Sequence, residues 1–172
     1  MTIEELFKDK ATKAKEKTEI ISKWILDTSL PTDELIAFAE KSKDPAKGTC
    51  VEAMEYATKQ NPGLADETLF SFVTATLIEK APRIKWESAK VIGNIAHLFP
   101  EKLNDAITNL LANTEHEGSV VRWSAAFALG EIIKLKTPHN TILLPTLESI
   151  SEKEEKNSIK KIYLDAIKKT KK

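Results

Sequence analysis

Apolar residues along this chain recur at helical spacing, stop at a proline, and start again. Ile84, Ser88, Val91, Ile92 and Ile95 fall on one face of a 3.6-residue helix. The same spacing is found before Pro62 and before Pro138. A proline cannot continue a helix, so each of these marks a helix that has just ended. Ahead of each such stretch lies a second amphipathic segment, over 33–43, 66–81, 103–115 and 142–153. Short polar or turn-prone runs separate the two, such as Lys43-Asp-Pro-Ala, Lys80-Ala-Pro-Arg and Glu117-Gly-Ser. The pattern predicts helix, tight turn, helix, proline-marked loop, repeated along the chain.

Three of the second helices align with one another. They run Lys47-Gly-Thr-Cys-Val-Glu-Ala-Met to Pro62, Lys85-Trp-Glu-Ser-Ala-Lys-Val-Ile-Gly to Pro100, and Arg122-Trp-Ser-Ala-Ala-Phe-Ala-Leu-Gly to Pro138. A degenerate fourth copy begins at Lys160. Ala53, Val91 and Ala128 are equivalent, and so are the small residues Cys50, Ser88 and Ala125, which let a neighbouring helix approach closely. One such pair cannot bury its apolar stripe alone, so the pairs must stack.

The third unit, 103–135, resembles a HEAT repeat. Its second helix carries Val121-Arg122, then Ala125-Ala126 and Ala128-Leu129-Gly130-Glu131-Ile132, which is similar to the family's valine-arginine, alanine-rich and Ala-Leu-Gly-x-Ile pattern. The second unit matches through Ile84-Lys85, Ala89, Ile92-Gly93 and Ile95, and Leu143-Leu144-Pro145-Thr146-Leu147 resembles the family's opening helix. The resemblance implies an all-α fold, a right-handed α–α superhelix of about four helix pairs (32–62, 63–100, 101–138, 139–172) behind an N-terminal capping helix or half unit in 1–31. The chain departs from the pattern in one respect. The family places an aspartate six residues before the basic position, where this chain has Lys41, Glu79, His116 and Glu154. The polar ladder between repeats is therefore missing or rebuilt from other groups.

Composition agrees with a single folded domain over 1–172. Apolar residues make up 41% and charged residues 30%, too apolar for a disordered chain and too charged for a membrane protein. No apolar run approaches a membrane span, and the charged stretch from Met1 to Lys17 lacks the apolar core of a signal peptide. With a single cysteine, Cys50, no internal disulfide can form, and a cytoplasmic location is expected. Twenty-six basic residues balance 26 acidic ones, which argues against a general nucleic-acid binder. The charge is unevenly placed: 156–172 carries seven lysines against Asp165, and reads as a solvated last helix.

Nothing in the residues signals chemistry. The three histidines lie in different segments without a metal-ligand spacing, and the five glycines form no phosphate loop. No enzyme, cofactor or metal is expected. The resemblance implies instead that the second helices line a concave side whose outward positions are free to bind. In the second unit these are Trp86, Glu87, Lys90, Asn94 and His97; in the third, Trp123, Ser124, Phe127, Glu131 and Lys134; in the first, Gly48, Glu52, Glu55 and Lys59. Trp86 and Trp123 share one repeat position, and two large aromatics facing outward are unusual. The competing expectation is that each tryptophan packs on the neighbouring repeat. Lys85 and Arg122 are expected to satisfy turn carbonyls or a neighbour's acid.

The leading expectation is therefore a non-enzymatic scaffold that binds a protein partner through Trp86, Lys90, Asn94, Trp123, Phe127, Glu131 and Lys134. The alternative is a nucleic-acid-binding protein similar to the HEAT-like DNA glycosylases that act on alkylated bases. That family carries tryptophans, a basic ladder and a catalytic aspartate on its concave face. Asp165 is the one aspartate near that face here, and the acidic first unit argues against a duplex-DNA groove.

Overall fold

The computed structural model describes residues 1–172 and is all-helical. Its ten α-helices are α1 (Ile3–Lys8), α2 (Ala14–Leu26), α3 (Thr32–Lys41), α4 (Asp44–Gln60), α5 (Glu67–Thr76), α6 (Pro82–Ile95), α7 (Asn104–Asn113), α8 (Ser119–Lys134), α9 (Asn140–Lys153) and α10 (Asn157–Thr170). Short 3-10 turns over Pro62–Leu64 and Ala96–Leu98 follow α4 and α6. Local chemistry sets several helix starts. The Thr2 hydroxyl and the Asp66 carboxylate accept the free amides of Glu5 and Leu69, at 3.1 and 2.9 Å. Pro82 occupies the first position of α6, where a missing N–H costs nothing.

The helices lie in two layers. Along one layer α2, α4, α6, α8 and α10 pack in succession, and each is backed by the odd-numbered helix that precedes it. Residues 1–31, expected to form a capping helix or half unit, hold α1 and α2. Between the layers runs one continuous core that includes Ile21, Leu35, Met54, Leu69, Ile92, Leu110, Leu129 and Tyr163. Small residues let the even-numbered helices close on one another. A Cβ on Gly130 would sit 3.1 Å from the Ala166 methyl, and one on Gly48 would sit 3.0 Å from the Arg83 guanidinium.

A rebuilt polar ladder joins successive pairs. Lys47 at the start of α4 pairs with Glu79 beyond α5, and Arg122 of α8 pairs with Glu154 beyond α9. In both cases the repeat's basic residue reaches forward to the acid of the next unit. Arg122 also donates to the carbonyls of His116 and Glu117, at 3.1 and 3.0 Å, so it serves both the turn and the neighbour. Between these two rungs, the acid's position is taken by His116, whose Nδ1 accepts from the Gly118 amide. Lys85 then reaches no acid and lies 3.5 Å from the Leu77 carbonyl.

Candidate partner-binding surface

On α8 a stripe of Val120, Trp123, Phe127, Glu131 and Lys134 recurs every three or four residues, so it occupies one face. Val120 is 51% exposed and Trp123 40%. The rings of Trp123 and Phe127 lie nearly parallel, centroids 5.9 Å apart. Phe127 is half-buried because it rests against α6 at Gly93, where any side chain would collide with its ring. The outcome for the tryptophans is thus divided. Trp123 leans on its own helix and keeps an open face, while Trp86 is half-buried. Val120 was missed by sequence reasoning, although its spacing of three to Trp123 and seven to Phe127 was visible.

Next to this apolar stripe, the seam between α4 and α6 is dense with charge. Lys90 Nζ stands 2.9 Å from Glu87 Oε1 and 3.3 Å from Glu55 Oε1. Arg83 pairs with Glu52 at 3.2 Å. Asn94 donates to the Glu55 carbonyl at 3.3 Å and to the Thr58 hydroxyl at 3.1 Å. Lys90 and Asn94, expected on the open strip, are therefore half-buried and engaged between two helices. Glu131 and Lys134 are also half-buried and pair with each other at 2.9 Å.

Four positions expected to face outward are instead buried: Gly48, Glu55, Glu87 and Ser124. They are covered because the even-numbered helices pack more closely than the outward reading allowed. At the position of Glu87, the neighbouring units carry Thr49 and Ser124, whose hydroxyls return to their own helix at Pro45 O and Val121 O. Glu87 puts a carboxylate into a seat that elsewhere holds a hydroxyl. It is 2% exposed, and its Oε2 has no hydrogen-bond partner. Burial pushes the Glu87 carboxyl above the ordinary range, against the opposing pull of Lys90. Burial comes first for Lys90 as well and would lower it, but the carboxylates of Glu87 and Glu55 together hold it above the usual ammonium value. Tyr56 is raised by partial burial and then by the nearby Glu52, Glu87 and Glu55.

No three side chains among His, Cys, Asp and Glu stand close enough to hold a metal ion. No helix is long and apolar enough to cross a membrane. Comparison with family models, with curated proteins and with solved structures returned no match.

Proposed function

We propose that this chain is a HEAT-like, right-handed superhelical scaffold, non-enzymatic and cytoplasmic, that holds a protein partner on the face of its even-numbered helices. What carries the reading is the exposed pair of Val120 and Trp123 on α8, backed by Phe127 seated on Gly93. A large aromatic held in place by a stacked neighbour offers contact area at little entropic cost, the character of an interface anchor. Trp86 on α6 would extend the contact, and the ion-paired Lys90, Glu131 and Lys134 with the hydrogen-bonded Asn94 would frame it as a polar rim.

The test compares wild type with the Trp86→Ala/Trp123→Ala variant, both verified as helical by circular dichroism. Each is immobilised and exposed to native lysate with and without nuclease. A protein retained by wild type and lost by the folded variant, regardless of nuclease, supports the reading. Retention that is equal for both chains removes the strip, and retention that needs nucleic acid transfers the surface to the glycosylase-like alternative.

A further inference from the structure

On the opposite layer the odd-numbered helices do not close up evenly. Helices α3, α5 and α7 pack in succession, but α7 and α9 barely meet. The side chains at the two junctions also differ. Asn109 and Asn113 of α7 donate to the carbonyls of Thr74 and Leu77, each at 3.0 Å, and bind α7 to the α5 region. At the same repeat positions α9 carries Leu147 and Ser151, both buried, and the Ser151 hydroxyl returns to its own helix at Glu148 O. Nothing equivalent draws α9 onto α7.

The gap left between them is a groove made of two adjoining cavities, of about 840 and 520 Å³, which share Leu111 and Thr146 in their walls. The smaller cavity is apolar at Ile107, Leu111, Ile142 and Leu143, with Ile142 77% exposed at its edge; the larger is mostly polar, with Leu111 and Ile150 as its apolar side chains. The charge around the groove is one-sided. With the Glu154–Arg122 pair set aside, the walls carry Glu101, Glu115, Glu117 and Glu155 against Lys153 alone. The groove runs along α9, whose 14 residues span about 21 Å.

We propose that this α7–α9 groove is a second docking surface, independent of the Trp123 strip, and that its occupant is a basic amphipathic helix of a partner protein. A groove of that length, apolar at Ile107, Leu111, Ile142 and Ile150 and acidic toward Glu115 and Glu155, suits a helix of about four turns that sets a short row of i, i+3, i+4 apolar anchors beside a polar flank. The unbalanced glutamates select lysine or arginine on the helix's polar face and speed its encounter.

The test uses a 14-residue helical peptide of leucine and lysine in amphipathic register, its leucine/glutamate counterpart, and ¹⁵N-labelled full chain. The expected result is amide shifts confined to α7, α9 and their flanking turns, with the lysine peptide only. Glu115→Lys/Glu117→Lys/Glu155→Lys and, separately, Ile142→Asp should each weaken binding at least tenfold. All four side chains are exposed, so both variants should keep the wild-type spectrum elsewhere. Shifts centred on α6 and α8, or affinity indifferent to these variants, would overturn the proposal. So would a concentration-dependent rise in mass that Ile142→Asp abolishes, because the groove would then belong to a second copy of the chain. The Trp86→Ala/Trp123→Ala variant should bind the peptide as wild type does, which separates this surface from the first.

Discussion

The ring of Phe127 occupies the space that a side chain on Gly93 would need. The seam between α6 and α8 thus depends on a missing methyl group. Gly93→Ala should gain about 1 kcal/mol of helix propensity and lose about 1–3 kcal/mol to overpacking, for a net loss of up to about 2 kcal/mol in urea unfolding. In the Phe127→Ala background the same change should become neutral or stabilising. A Gly93→Ala protein as stable as wild type, with unchanged tryptophan fluorescence, would show that the ring moves aside freely.

Arg122 grips Glu154 through both Nε and Nη2, at 3.1 to 3.3 Å, and the acid is buried. Removing one partner of a buried pair leaves a charge without compensation. Glu154→Gln should cost about 2–3 kcal/mol, and Arg122→Ala more, since it also abandons the carbonyls of His116 and Glu117. A double-mutant cycle should return a coupling of about 1–3 kcal/mol. The exposed pair Lys102–Glu67 should return close to zero in the same assay.

Glu87 has the opposite character. Its folded-state value lies above its ordinary 4.5, so folding favours the protonated form. That contribution to stability is fully present below the unfolded value and is lost as pH rises through the folded one. Near neutrality Glu87 is therefore a burden that its contact with Lys90 only partly relieves. Glu87→Gln, which leaves Lys90 its contact with Glu55, should be at least as stable as wild type at pH 7. Its advantage should shrink as pH falls toward 4.5, where wild-type Glu87 becomes neutral. Denaturant midpoints at several pH values decide this, and an advantage that grew on acidification would contradict it.

Cys50 is fully buried in α4, and burial pushes its thiol up to about 12. A thiol so placed is not a nucleophile at physiological pH. A disulfide reagent such as DTNB should label the native chain only at the rate of its unfolding, and label it at once in denaturant. Rapid labelling of native protein would mean that α4 opens locally.

The helix pairs were legible because their signals are short-range. The apolar period, the proline after α4 and near the ends of α6 and α8, and the turn runs at 43–46 and 80–83 all act within a few residues. The partners of the basic residues were not legible in the same way. Glu79 and Glu154 stand out in the sequence at the offset six before a basic position, but their partners Lys47 and Arg122 lie a whole helix earlier. Which helix approaches which decides that choice, and no local pattern encodes it. Glu87 and Glu55 were misplaced for a related reason. A helical wheel tells which residues share a face, but the depth to which that face is covered depends on neighbours with small residues, here Gly48 and Gly93. The open groove beside α9 was equally hidden, since it depends on how far apart α7 and α9 lie.

Within its layer each even-numbered helix makes its extensive contacts only with its immediate neighbours, one for α2 and α10 and two for α4, α6 and α8. Such a chain behaves less like a knot than like a stack of coins. Its contacts are close in sequence, so it should assemble quickly and from any starting point. Pulled by its two ends, it should come apart pair by pair in a series of small steps, and each step should re-form when the load is released. A chain built this way can stretch under tension while its interior pairs stay folded.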